Sequence, residues 1–284
     1  MKLSVVIATL GGIPLKKTIR ALQNSSIKPT EILICIPNST ELVETIDFSD
    51  NIKIIRTKKK GQVFQRMTGF LAAKGELVLQ IDDDVFLEKD TIKRLVNCLD
   101  SLGKKAVVAP SIFKEGSNQS VFKRNKNTIS SRITDWVMNG AIGFKPGIIS
   151  LSGVGFGLDF NDKKQYISES EWLPGGCILH QSQNLITQDY FPFEGKAYSE
   201  DLIHSLILRE NGVKLYVCNN TTVYMETIPY PDSLIGLYRQ YQASKYVVNI
   251  QRKGSFRVHF FYFLRLIKTI PRVIFYAVFS FLKK

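Results

Sequence analysis

The chain has 284 residues, 44% hydrophobic and 22% charged, so it can bury a sizeable core and is neither disordered nor fibrous. Its 38 Lys and Arg outnumber 25 Asp and Glu to give a net charge of +13, which predicts nucleic acid, phosphorylated small molecules or an acidic membrane surface as partners. Its four cysteines are widely separated and form no Cys-x-x-Cys pair, which argues against a zinc site or a disulfide framework. A reducing, cytoplasmic setting is therefore the simplest expectation.

Apolar runs typical of buried strands alternate with amphipathic, helix-like segments over the first 110 residues. We expect strands at 3–9, 31–36, 52–56, 76–81 and 106–109, and helices opening near Pro14, after Gly61 and over 87–102. This alternation predicts an α/β fold whose sheet is mostly parallel, is flanked by helices and has right-handed crossovers. The amino terminus lacks the long apolar region of a signal peptide, so we interpret it as the first strand.

Three consecutive acids, Asp82-Asp83-Asp84, end the fourth predicted strand. Open α/β sheets bind ligands at the carboxyl ends of their strands. Crowded carboxylates repel one another unless a hard divalent cation and a diphosphate lie between them. The alternative is a solvated turn in which one Asp caps the following helix.

The second half of the chain is less regular. Polar and Gly-rich sequence over 111–161 predicts loops and short strands that face the site. A Gly175-Gly176 turn follows Trp172, and a second acidic pair, Glu200-Asp201, stands at a predicted helix start before a strand at 214–218. For this pair the alternative is an N-terminal helix cap, which the helix dipole would favour.

These motifs together resemble the family 2 inverting glycosyltransferases with a GT-A fold, which transfer a sugar from a nucleotide-diphosphate donor. The resemblance covers about residues 3–220. It rests on five stretches: the opening strand 4–9, the helix beginning Gly61-Gln62-Val63-Phe64-Gln65-Arg66, the Asp82-Asp83-Asp84 cluster, the Gly175-Gly176 turn and the Glu200-Asp201 pair.

The resemblance implies a divalent metal, Mn²⁺ or Mg²⁺, with Asp84 as its main ligand. Asp82 would contact the nucleotide and assist the metal, while Asp83 lies on the nucleotide side without a defined role. A metal bridging Asp84 and the phosphates would stabilise the leaving diphosphate. Inversion in one displacement needs a base that takes the proton of the acceptor hydroxyl, and Asp201 is the residue carried over to that role.

The remaining site residues follow from the same resemblance. Arg66 would be directed at the nucleotide, with an exposed helix arginine as the alternative, and Thr9 would lie near the base. Asn38 stands where the family usually has an acidic residue contacting the base, which leaves the identity of the donor open. Gly176 would let the backbone approach the donor closely. On the acceptor side we expect Trp172, which either stacks on a sugar or packs in the core, and Glu200.

The carboxyl tail, 256–284, predicts an aromatic helix with one basic stripe formed by Arg257, Arg265, Lys268 and Arg272. Its longest uncharged run, 273–282, is too short to span a bilayer. An interfacial helix on an anionic membrane fits the pattern, and the alternative is a helix packed on the catalytic domain or on a partner. Pro271 is expected to kink or divide it.

We therefore predict a GT-A catalytic domain over 1–225, with a nucleotide-binding half at 1–110 and an acceptor half at 111–225, and a basic amphipathic membrane-associating segment at 226–284. The expected protein is a metal-dependent inverting glycosyltransferase, peripheral on the inner membrane face, that extends a glycan or lipid-linked glycan in cell-surface polysaccharide biosynthesis.

Two alternatives remain. A sugar-phosphate nucleotidyltransferase shares the sheet and the metal-bound phosphates, but Gly11-Gly12 and its neighbours match its Gly-rich loop poorly. A basic module that binds membrane or nucleic acid without turnover explains the charge of +13 but not the two acidic clusters, so nucleic acid is not an expected partner.

Overall fold

A computed structural model describes residues 1–42, 49–117, 119–122, 128–158, 166–226 and 233–282, with side chains up to Pro271. The strands are β1 (Leu3–Ala8), β2 (Glu31–Pro37), β3 (Ile52–Thr57), β4 (Leu77–Asp82), β5 (Val85–Leu87), β6 (Ala106–Lys114), β7 (Ile167–Ser170), β8 (Cys177–Gln181) and β9 (Lys214–Met225). The helices are α1 (Pro14–Gln23), α2 (Gln62–Ala72), α3 (Thr91–Leu102), α4 (Ile129–Asn139), α5 (Glu200–Glu210), α6 (Leu234–Ile250) and α7 (Phe256–Leu282).

One sheet carries the described strands in the order β3-β2-β1-β4-β8-β6-β9-β5, and β7 pairs with β9. The first four strands in this order are parallel, as predicted. Every residue of β1 and β2 is buried, which is why both sequences are apolar except at Ser4 and Glu31. The Ser4 hydroxyl donates to Glu31 Oε1 at 2.7 Å. Beyond β4 the sheet becomes mixed, because β8 runs antiparallel to both β4 and β6.

Local signals explain most of the element boundaries. Pro14 occupies the start of α1, where its missing N–H costs nothing. Strand β6 continues past Pro110, where the prediction ended it, through a shift in its pairing with β9 between Pro110 and Ser111. Proline cannot donate to a ladder and is tolerated at such irregularities.

Helix α4 was not predicted. Thr128 caps it, and the Thr128 and Ser131 side chains bond each other's backbone N–H in a capping box. Three of its apolar side chains face outward, with exposures of 78% for Ile129, 56% for Ile133 and 47% for Trp136. The helix was missed because these residues do not mark its buried side.

A disulfide joins Cys98 of α3 to Cys218 of β9, a bond that the argument against a disulfide framework did not anticipate. Helix α3 packs against β9, which brings two Cα atoms separated by 120 residues in sequence to 6.7 Å. Cys35 and Cys177 are free and buried. Disulfides persist mainly in oxidising compartments, so cysteine usage no longer supports a reducing setting, and the compartment stays a prediction.

The C-terminal helices pack on the rest of the chain. Val258 and Tyr262 of α7 are buried in one apolar cluster with Leu237 and Val248 of α6. Helix α7 is continuous through Pro271, so the expected division there was wrong, although proline removes one backbone hydrogen bond. In the part of the chain that the structure describes, no helix combines the length and apolarity that crossing a bilayer requires.

Candidate active site

The acidic cluster lies at the carboxyl end of β4, as predicted. Asp82 is the last residue of the strand, and Asp83 and Asp84 form the turn into β5. The Thr9 hydroxyl donates to Asp83 Oδ2 and accepts from the Gly11 backbone N–H at 2.8 Å. These bonds hold the end of β1 against the turn, so Thr9 and the acids share one edge of the sheet.

Arg66 joins the two acidic motifs. Its guanidinium donates to Asp82 Oδ1 at 2.5 Å and to Glu200 Oε2 at 2.8 Å, and the residue is only 2% exposed. The charges of Glu200 and Asp82 raise the pKa of Arg66 against the opposing effect of burial, so it stays charged. The alternative of an exposed helix arginine was wrong, and contact with the nucleotide remains a prediction.

The Gly175-Gly176 turn lies against this ion-pair network. The Gly175 carbonyl accepts from Arg66 Nη2 at 3.1 Å and from Gln80 Nε2 at 2.5 Å. A Cβ atom at Gly175 would lie 3.0 Å from Glu200 Oε2, which explains why glycine fits there. The Gly176 carbonyl accepts from the Asp82 backbone N–H at 2.9 Å, so the turn is fixed to the end of β4.

Glu200 is buried and fully engaged at the start of α5. Its Oε2 accepts from Arg66, and its Oε1 accepts from the Tyr190 hydroxyl at 2.5 Å. Both carboxylate oxygens of Glu200 therefore have partners inside the protein, and its contact with the acceptor remains a prediction. The helix-cap alternative finds support in Asp201: both acids lie in the first turn of α5, where the helix dipole favours them, and Asp201 Oδ1 accepts from the Leu202 backbone N–H at 2.9 Å.

Asp201 is partly buried beside Glu200. Desolvation, followed by the charge of Glu200, raises the pKa of Asp201 to about 7. A carboxylate with a pKa near neutrality is a far better proton acceptor than an ordinary aspartate. The raised pKa suits the predicted role of general base, which itself remains a prediction.

Asp82 of the first acidic motif and both residues of the second line one cavity of about 570 Å³, whereas Asp83 and Asp84 are not among its lining residues. Asp82, Arg66 and Gly176 line it together with Glu200 and Asp201. The cavity extends to the C-terminal helices, which contribute Gln240, Ser244, Tyr262 and Arg265. The division of the chain at residue 225 remains a prediction, but helices beyond it form part of the cavity wall.

Trp172 lines the cavity as part of its wall. It is only 5% exposed, its Nε1 donates to the Phe156 carbonyl at 2.9 Å, and it meets Phe122 edge to face. Packing covers most of the indole ring, as the core-packing alternative expected, and stacking on an acceptor sugar remains a prediction.

Asn38 follows β2 and is exposed, with its backbone N–H bonded to the Thr57 carbonyl at 3.0 Å. It is not among the residues that line the cavity. Because β2 neighbours β1, Asn38 lies at the same carboxyl edge of the sheet as Thr9. Its contact with a base remains a prediction.

Several site residues escaped the sequence analysis. Gln62 donates to Asp82 Oδ1 at 3.1 Å, and Gln65 donates to the Thr9 and Cys35 carbonyls at 2.7 Å each. Together with Arg66 they form one polar face of α2, and their i, i+3, i+4 spacing was the available signal. Tyr190 had no such signal, because it lies in a loop that only the tertiary fold brings to Glu200.

The metal-binding prediction finds partial support in the donor set. Burial, and then the charges of Asp82 and Asp83, raise the pKa of Asp84 to about 6, and a divalent cation would relieve that repulsion. Among the described residues no group of three or more His, Cys, Asp or Glu side chains is placed to hold a metal. One or two carboxylates fit a cation that takes its other ligands from phosphates and water.

The fold is of the GT-A type. Residues 4–153 match the model of glycosyl transferase family 2, which is more than half of the chain. The chain belongs to that family, and this favours the transferase over the nucleotidyltransferase and the non-catalytic module. No curated protein matches the chain in sequence.

Solved structures share the fold at low sequence identity. A structure of GalNAc-T7 with UDP, GalNAc and Mn²⁺ superposes with a TM-score of 0.56 at 16% identity, covering 88% of this chain and 48% of that one. S. aureus TarS 1-349 in complex with UDP-GlcNAc gives 0.53 at 15% identity, covering 92% and 69%. The chain thus spans about half the length of the GalNAc-T7 structure.

Proposed function

We propose that this protein is a metal-dependent inverting glycosyltransferase that moves a sugar from a nucleotide-diphosphate donor to a hydroxyl of a lipid-linked glycan, as in cell-surface polysaccharide synthesis. One observation carries the proposal: Arg66 ties Asp82 to Glu200, and this places the strand-end acid and Asp201 on the same cavity. The donors named in the two similar structures, UDP and UDP-GlcNAc, make a uridine nucleotide the first to test.

In this mechanism the residues of the chain hold the reacting groups in place and supply a general base. Asp84, assisted by Asp82, would hold a Mn²⁺ or Mg²⁺ ion, which stabilises the charge of the departing diphosphate when bound. Asp201 accepts the proton of the acceptor hydroxyl as its oxygen attacks the anomeric carbon. Arg66 and Tyr190 hold Glu200 in place, and burial, followed by the charge of Glu200, keeps the pKa of Asp201 high.

The metal-dependent donor site is tested by thermal shift. We expect one class of nucleotide sugar to raise the melting temperature only in the presence of Mn²⁺. At a nucleotide-sugar concentration of about 100 times its Kd, the rise should correspond to about 2.7 kcal/mol of added stability. In Asp84→Asn the metal-dependent part of this shift should disappear. Asp50→Asn is the matched control, because Asp50 is exposed and precedes β3 instead of following the carboxyl end of a strand. Equal shifts with and without Mn²⁺ would argue against the metal.

A lipid-linked acceptor lies in a membrane, so the protein needs a face that binds the membrane surface. Helix α7 has an apolar face of this kind. Phe256, Phe263, Ile267 and Ile270 are exposed on α7, and their spacing places them on one face. The predicted basic stripe does not lie there. Arg257 donates to the Trp136 carbonyl at 2.7 Å and Arg265 to Gln240 Oε1 at 2.8 Å, so these two cations contact protein. Lys268 is exposed, and the Arg272 side chain lies outside the described residues.

The membrane surface is tested with vesicles containing phosphatidylglycerol. We expect the double variant Ile267→Glu, Ile270→Glu to lose most vesicle binding, because two charges would enter the apolar layer that an interfacial helix occupies. Co-sedimentation measures the bound fraction. Leu71→Glu, which changes an apolar residue of α2 that is 64% exposed, is the control. Unchanged binding by the double variant would refute the interfacial helix.

A further inference from the structure

Helix α7 separates the catalytic cavity from an apolar groove. Tyr262 lines the cavity that contains Asp201 and also lines a groove of about 270 Å³ between α6 and α7. We call this the α6–α7 groove. It is lined by Leu234, Leu237, Tyr238, Tyr241, His259, Tyr262, Phe263 and Leu266. The two spaces therefore share a wall, and a polar region lies next to an apolar one.

The side chains of the groove suit a hydrocarbon chain. Aliphatic and aromatic groups form seven of its eight lining residues, and Leu234, Tyr238, Phe263 and Leu266 remain substantially exposed. An apolar surface of this kind, open to solvent, gains free energy when apolar atoms cover it. The Tyr262 hydroxyl is already bonded to Ser244 Oγ at 2.8 Å, so the wall is fixed in place.

A hydrogen-bond donor and a cation lie on the cavity side of the same wall. Arg265 Nη1 donates to Gln240 Oε1 at 2.8 Å, and both residues line the catalytic cavity. Gln240 is only 4% exposed, yet its Nε2 has no hydrogen-bond partner among the described residues. A buried amide N–H without a partner is costly, and an anionic oxygen beside Arg265 would satisfy it.

We propose that the α6–α7 groove holds the hydrocarbon chain of the acceptor lipid, and that Arg265 and Gln240 bind the phosphate joining this chain to the glycan. The glycan then extends along the cavity toward Asp201. This inference rests on the proposed function and deepens it, because it assigns the acceptor class to specific residues. The adjoining apolar and cationic regions match an amphiphile with one anionic group.

Binding of decyl phosphate to the full-length chain tests the proposal. Below its micelle concentration, decyl phosphate should bind at least about 100-fold more tightly than inorganic phosphate, since each buried methylene adds affinity. The double variant Tyr238→Ser, Leu266→Ser should weaken decyl phosphate by about tenfold or more. Arg265→Gln should weaken the binding of decyl phosphate by about tenfold but leave the binding of neutral decyl glucoside unchanged. Calorimetry gives the affinities.

The membrane variant Ile267→Glu, Ile270→Glu is the matched control, because neither residue lines the groove. It should keep decyl phosphate binding while losing vesicle binding. The groove variant Tyr238→Ser, Leu266→Ser should lose decyl phosphate binding while keeping vesicle binding. Equal affinity for decyl phosphate and inorganic phosphate, or unchanged binding by the groove variant, would overturn the proposal. If no nucleotide sugar stabilised the unchanged protein in the Mn²⁺ experiment, the proposed transferase function would be overturned instead. The decyl phosphate result would still stand.

Discussion

We expect Asp201→Asn to lower sugar transfer by about 10²- to 10⁴-fold, the usual contribution of a positioned general base. The amide is close in size to the carboxylate but cannot accept the acceptor proton. Donor binding should change little, because the predicted donor contacts come from Asp82, Asp84 and their neighbours. The measurement is the initial rate with the donor that the thermal-shift screen selects, alongside the affinity for that donor.

The pH profile gives a second measure of the same residue. Burial and the charge of Glu200 raise the pKa of Asp201 to about 7, and the base acts only when ionised. The rate should therefore rise about tenfold per unit as pH increases below 7 and level off above it. Asp201→Asn should lose this dependence.

Asp100→Asn, an exposed acid on α3, should retain both the rate and the pH profile of the unchanged protein. Turnover of Asp201→Asn within a few-fold of normal would remove Asp201 from the mechanism. A persistent rise in rate with pH in that variant would assign the titration to another group.

The second large effect is expected from Arg66→Met, which should lower the free energy of unfolding by about 3–5 kcal/mol. Removing one partner of a buried ion pair leaves the other uncompensated, and here the Glu200 carboxylate would remain buried without its cation. Urea denaturation gives the free energy. Transfer should also fall, because Arg66 fixes Glu200 and Asp82 relative to each other.

Two further variants keep this prediction testable if Arg66→Met does not fold. Arg66→Lys preserves the charge but cannot donate along two directions from a planar group, so an intermediate loss is expected. Arg209→Met changes an exposed arginine at the end of α5 and should stay within about 0.5 kcal/mol of the unchanged protein. Full stability of Arg66→Met would mean that the ion pairs contribute little.

The amino-acid sequence by itself determined most of the strands and helices of the first 110 residues. Buried parallel strands favour nearly continuous apolar runs, so β1, β2 and β4 could be predicted, and the acids after Ile81 marked the carboxyl end of β4. The second half was harder to predict from sequence, because its strands are antiparallel or mixed and helix α4 exposes several of its apolar residues. Local patterns specify which residues form an element, but they do not specify which distant elements meet.

Only the tertiary structure decided how the site is assembled. Arg66 lies 134 residues from Glu200 in sequence, and no local pattern indicates that its guanidinium bridges Glu200 and Asp82. The same holds for Tyr190, for the Cys98–Cys218 disulfide and for Arg265 at the cavity wall. Burial and ion pairing depend on contacts made across the fold, so the pKa of Asp201 and the buried state of Trp172 followed from packing alone.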